Sequence, residues 1–156
     1  QEIRFSRRFF RADRSSMDEY RESLCPEDWL HKARQDLERV RPRLEEGDAA
    51  DAAFHLHQAL EKALKAFLLQ HGWTLRRIHD LRALLAEAER FSPALKQYRA
   101  LCREVSAYYL LERYPFFVTE PTVEEIGLQL ETAGMLFHFL ESGVAGPAST
   151  ALSEES

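Results

Sequence analysis

The sequence predicts an all-α fold, an antiparallel helical bundle of four main helices and one short helix. Three observations carry that prediction. The stretch Phe54–Leu69 places Leu56, Ala59, Leu60, Ala63, Leu64, Ala66 and Phe67 at three- and four-residue steps, the period of a helix with a broad apolar arc. No segment alternates apolar and polar residues as a half-buried strand would. Start and stop signals at Gly47-Asp48, Gly72, Ser92-Pro93, Arg113-Tyr114-Pro115 and Thr122 to Glu125 cut the chain into helix-length pieces.

The elements follow in order. Pro26-Glu27-Asp28 opens the first helix, with proline suited to the first turn and acids favoured by the dipole. Its inner stripe is Trp29, Ala33, Leu37, Val40 and Leu44, and Gly47-Asp48 ends it. The Phe54–Leu69 helix comes next and stops at Gly72. Its small residues Ala59, Ala63 and Ala66 admit close neighbours, and a linker covers Trp73 to Ile78. Asp80 caps a short helix that turns Leu81, Leu84, Leu85 and Ala88 to one side. Ser92 as N-cap and Pro93 as first helical residue begin another helix, carrying Leu95, Tyr98, Leu101, Val105 and Tyr109. It must end near Arg113, because a residue before proline is pushed out of helical geometry. Thr122-Val123-Glu124-Glu125 is a capping box. The last helix turns Ile126, Leu130, Ala133, Phe137 and Leu140 inward and is expected to stop at Ser142-Gly143.

The domain organisation reads as a basic, flexible segment over 1–25, the bundle over 26–142 and a disordered tail over 143–156. The first sixteen residues hold five arginines against two acids, with Phe5, Phe9 and Phe10 interleaved. Such a segment suits either a loose leader ahead of Met17 or an arm that binds phosphate and stacks on bases. The chain of 156 residues is long enough to bury about 70% of its unfolded surface. Its net charge of −5 argues against a surface coated with nucleic acid, though a local basic site is compatible with it. No apolar run approaches a membrane span or a signal peptide. Cys25 and Cys102 lie far apart and read as reduced thiols of a cytoplasmic protein.

Most familiar chemistry is excluded. His55 and His57 sit two apart on a helix and point different ways, and His31, His71, His79 and His138 lack acid or cysteine partners at ligand spacing. No metal and no cofactor is therefore expected. There is no glycine-rich phosphate loop and no nucleophile elbow. Glu61 and Lys65, four apart, form an exposed ion pair on one reading. On another, Gln58, Glu61, Lys62 and Lys65 make a polar stripe that lines a groove. Arg113 is either a cation at a helix end or a planar fork for phosphate.

Taken together, the motifs resemble the HEPN family, the higher-eukaryote and prokaryote nucleotide-binding domain. The resemblance rests on Phe54-His55-x-x-Gln58-Ala59-x-Glu61-Lys62-Ala63-Leu64-Lys65-Ala66, on His79-Asp80-Leu81, on Arg113-Tyr114-Pro115 and on the opening helix with Asp28-Trp29-Leu30, Ala33 and Asp36-Leu37. It spans about residues 26–142. It implies a small helical bundle, usually a homodimer. Many members cleave RNA without metal, using an arginine and a histidine separated by four to six residues. Arg113 matches the arginine, but Val118, Thr119 and Glu120 stand where the histidine would fall. The family form without that histidine is similar to a binding module, often paired with a small nucleotidyltransferase in toxin–antitoxin fashion.

The resemblance thus implies a non-catalytic dimer that binds nucleotide or RNA through Arg113, Tyr114, Lys62, Lys65, Glu61, Gln58 and His79. Alternatives are a rearranged ribonuclease using Arg113 with His79 or His55, and a pure interaction scaffold. Glu61 is expected to orient Arg113. Tyr108, Tyr109, Leu110, Phe116 and Phe117 are expected to supply apolar surface for the dimer.

Overall fold

The computed structural model describes residues 22–116 and 119–145, and among these described residues there are six α-helices and one 3-10 helix. They are α1 (Pro26–Glu45), α2 (Ala49–Gln70), α3 (Leu81–Glu89), the 3-10 helix Pro93–Tyr98, α4 (Arg99–Ser106), α5 (Tyr109–Arg113) and α6 (Val123–Ala145). Every regular element among the described residues is helical, so the fold is an all-α bundle. The arginine-rich stretch 1–16, Phe117 and the tail from 146 onward lie outside the described residues.

α2 is the central helix. It packs most extensively on α1, then on α6, and also meets α3, α4 and α5. Leu56, Ala59, Leu60, Ala63, Leu64, Ala66, Phe67 and Leu68 are fully or almost fully buried. So are His57, Glu61 and Lys65, which corrects the expectation of an exposed Glu61–Lys65 pair on a polar back face. The physical reason is position: partners on nearly every side leave little solvent face for that stripe. Asp48 caps α2 by accepting a hydrogen bond from the Asp51 N–H at 3.1 Å. Gly47 and Gly72 adopt φ of 77° and 84°, the left-handed geometry that ends α1 and α2 where those glycines stand.

The other signals meet three different outcomes. Asp80 caps α3, whose buried residues are the expected Leu81, Leu84, Leu85 and Ala88. The capping box is complete: Thr122 N–H donates to Glu125 Oε2 and Glu125 N–H to Thr122 Oγ1, both at 3.1 Å. The helix expected from Pro93 to Arg113 is instead divided into the 3-10 helix, α4 and α5. Ser92 makes no side-chain cap. Near Tyr108 the backbone closes three-residue bonds, Tyr108 N–H to Val105 O and Leu111 N–H to Tyr108 O, which tighten the turn. That break lets neighbouring tyrosines part. Tyr108 enters the core and donates to Gln129 Oε1 at 2.6 Å, while Tyr109 turns to His79. Tyr108 is therefore core, not exposed interface. Tyr114, the residue before Pro115, leaves helical geometry at φ −134° and ψ 61°, as proline requires.

α6 runs past Ser142-Gly143 to Ala145, so the helix extends beyond its expected stop. Gly143 is a packing residue: a Cβ there would lie 2.7 Å from the buried Phe67 ring. Gly134 on the same helix faces open space. We expect Gly143→Ala to destabilise by about 1–2 kcal/mol despite alanine's better helix propensity, because overlap with a fixed ring outweighs it. Gly134→Ala should stabilise by about 0.5–1 kcal/mol. Thermal unfolding of both variants checks the contrast, and equal shifts would count against the close α6–α2 approach.

Candidate functional site

The site grows from a buried carboxylate. Glu61 lies on α2 one turn after His57 and one turn before Lys65, so the three share a face. Lys65 Nζ donates to Glu61 Oε1 at 2.9 Å, and Lys65 Nζ also sits 5.4 Å from the centre of the Trp29 ring. Trp29 is itself held by its Nε1–H donating to Ser23 O. A carboxylate and an indole face thus flank the buried lysine.

His79 completes the arrangement from the segment that precedes α3. Its Nδ1 is 2.9 Å from Glu61 Oε1, while the side chain remains about two-fifths exposed. An ionised carboxylate can only accept, so Nδ1 carries a proton, and in the neutral form of the ring Nε2 is the acceptor. His57 holds the same segment by its backbone: its Nε2–H donates to His79 O at 3.0 Å. Burial pushes the His57 pKa down, against the nearby Glu61 carboxylate, which favours the charged form. Neutral His57 therefore points Nδ1 toward Glu61 Oε2 at 3.6 Å, and these two buried atoms have no hydrogen-bond partner.

The aromatic ring of Tyr109 links this pair to Arg113. His79 and Tyr109 stack with centroids 5.0 Å apart and planes within 12°, and the Arg113 guanidinium lies 5.4 Å from the Tyr109 ring centre. Tyr109 and Arg113 are the two ends of α5, four residues apart, so one short helix sets both. Tyr114 follows, about half exposed, and Phe116 is almost wholly exposed. Asp80 anchors the other side of His79. It accepts from the Ser106 hydroxyl at 2.9 Å, and Ser106 Oγ accepts the Leu81 N–H at 3.2 Å. The Arg82 side chain foremost, then Ser106 and the Arg82 N–H, hold the Asp80 carboxyl down at about 2 against its partial burial.

The expected site residues divide into two groups. Arg113, His79, Glu61, Lys65 and Tyr114 gather along this path, with Tyr109 and His57 added by the structure. Glu61 orients His79 rather than Arg113, because its contacts reach the segment before α3 and not α5. Lys62 belongs elsewhere: it bonds the buried Asp36 of α1, which also takes His55 Nδ1 at 3.0 Å. Lys62 and His55 therefore tie α1 to α2. Gln58 is half-buried and makes no side-chain hydrogen bond among the described residues. A signal for the Asp36 cluster was present: an acid between Ala33 and Val40 on the inner stripe of α1 needs a buried partner. No group of three or more His, Cys, Asp or Glu among the described residues could hold a metal ion.

The described helices thus form a small bundle that brings an arginine, an oriented histidine and exposed aromatics to one end. The family model of the HEPN domain matches residues 26–143, and the chain belongs to the HEPN family. Two solved structures are similar. One is TT1696 from Thermus thermophilus, at 28% identity and a TM-score of 0.67, over 76% of this chain and 97% of that one. The other is ST0689, an archaeal HEPN homologue, at 25% identity and a TM-score of 0.63, over 77% and 98%. No curated protein matches the chain. No described helix is long and apolar enough to cross a membrane.

His57 gives a pH test. Its folded pKa lies below the ordinary histidine value, so the unfolded chain binds more protons once pH falls through about 6.5. Stability contributed by neutral His57 is present above that value and lost below it. We expect the wild-type melting temperature to fall between about pH 7 and pH 5, and His57→Gln to flatten that slope while lowering stability at pH 7 by about 1–3 kcal/mol. Parallel slopes in the two proteins would contradict the buried, neutral His57.

Proposed function

We propose that this HEPN protein is a dimeric nucleotide- or RNA-binding module that takes a phosphate at Arg113, and that it works beside a small nucleotidyltransferase in a toxin–antitoxin pair. The observation that carries the reading is the His79–Tyr109–Arg113 stack. It fixes a guanidinium at the end of α5, next to exposed Tyr114 and Phe116. A planar fork binds phosphate through two N–H groups, and exposed aromatic faces stack on bases without regard to sequence. Leu110 and Phe116, both exposed, supply apolar surface for the dimer, which would bring two copies of Arg113 toward one groove. The family spacing lacks its histidine at Val118, Thr119 and Glu120, so binding dominates over cleavage.

One observation favours a second reading, metal-independent RNA cleavage. Glu61 fixes the tautomer of His79 so that Nε2 faces outward as a base. There the 2′-hydroxyl proton passes to Nε2 while O2′ bonds to phosphorus. The bond from phosphorus to the 5′-oxygen breaks, and that oxygen takes a proton from solvent. Arg113 would stabilise the charge that develops on the phosphoryl oxygens.

Titration with fluorescent adenosine monophosphate and a short RNA at two salt concentrations separates these readings. Wild type should bind weakly and lose affinity with salt, and Arg113→Ala should bind about tenfold more weakly with its helical signal intact. Equal binding by the two proteins would leave Arg113 as a helix-end cation. Rapid cleavage of the RNA in chelator would favour the second reading.

A further inference from the structure

A separate groove of about 320 Å³ runs between α3 and α4. Arg82, Arg99 and Arg103 line it over Leu85 and Ala86, and Glu89 is its one acid. Residues 76–103 hold seven arginines and lysines against three acids, in a chain whose net charge is −5. The groove's own lining, three arginines and Glu89, carries an excess of positive charge, with Asp80 outside it paired to Arg82.

The arginines are held rather than loose. Arg99 donates Nε–H and Nη2–H to the two oxygens of Glu89 at 2.7 and 2.8 Å. Arg82 does the same to Asp80 at 3.1 and 2.9 Å. Each pairing uses one edge of a guanidinium and leaves Nη1 with no hydrogen bond among the described residues. Arg103 is exposed and makes no ion pair among those residues. The side chains of Arg82 and Arg99 are both about two-thirds exposed, so the unused edges are accessible.

The groove also leads somewhere. α4 ends at Ser106, whose hydroxyl bonds Asp80, and Asp80 follows His79 directly. Arg103 precedes Ser106 by one turn of α4, and Tyr109 begins α5 three residues after Ser106. The groove at its Arg82–Arg103 end is thus joined to the His79–Tyr109 stack by the Asp80–Ser106 bond.

We propose that this groove is a second phosphate-contact site, and that it takes the sugar-phosphate backbone of a single-stranded polynucleotide whose other part lies at Arg113. The proposal rests on the reading of Arg113 as a phosphate site and adds that the ligand is a strand rather than a mononucleotide. Guanidinium edges fit phosphate oxygens, and Ala86, exposed between them, leaves room for the sugar.

The test compares adenosine monophosphate with a single-stranded RNA of about twelve nucleotides as probes, over a range of salt. Arg103→Gln removes a cation that has no ion pair among the described residues, so the fold should survive. Arg99→Gln is the second variant, with circular dichroism as the check on folding. Each should weaken RNA binding about five- to tenfold, lower the salt slope by about 0.7, and leave mononucleotide binding unchanged. Unchanged RNA affinity in folded Arg103→Gln and Arg99→Gln would overturn the groove. Equal losses for both probes would also overturn it, by making the groove part of one shared site. Failure of the Arg113 reading shows separately, as mononucleotide binding that Arg113→Ala does not weaken.

Discussion

A buried carboxylate organises this molecule. Glu61 is buried on the central helix, and an isolated buried charge costs far more than one domain can supply. It is tolerable because Lys65 neutralises it and His79 donates to it. Removing one partner of such a pair typically costs about 3–5 kcal/mol, since the other is left buried and uncompensated. The surroundings follow from that constraint. Trp29 must cover Lys65 from α1, and the segment before α3 must pass close enough for His79 to reach Glu61. His57 fixes that segment's backbone at the same place.

The second consequence concerns the site itself. His79 would be one more exposed side chain on a loop if it did not bond Glu61. Held there, it offers a flat face to Tyr109, and Tyr109 in turn offers its ring to Arg113. The kink between α4 and α5 belongs to the same logic. A continuous helix would send Tyr108 and Tyr109 about 100° apart with no freedom to adjust, whereas the tightened turn lets one enter the core and the other meet His79. The histidine held beside Tyr109 thus comes from a different element than Arg113, the segment before α3.

Much of the fold was legible because its signals are local. Asp80, the Thr122–Glu125 box, Gly47, Gly72 and the Tyr114-Pro115 boundary act within a turn, and each is where the residues imply. Two boundaries failed for tertiary reasons. Gly143 looked like a terminator, but its missing Cβ is required by the Phe67 ring. The helix after Pro93 looked continuous, but the demands of Tyr108 and Tyr109 divide it. The site was half legible. The motifs mark Arg113, His79 and Glu61 as candidates, but the structure gives Glu61 to His79 rather than to Arg113, and Lys62 to Asp36. Those differences share a cause: the period of one helix shows which residues share a face, but not how many neighbours cover it.

The claim on which the account depends is that buried Glu61 sets the tautomer of His79. Side-chain nitrogen shifts of the histidines, read by nuclear magnetic resonance in wild type and in Glu61→Gln, measure it directly. The account predicts that neutral His79 is protonated at Nδ1 in the wild type, with Nε2 bare, and that this preference weakens in the variant. A neutral His79 protonated at Nε2 in the wild type would contradict it.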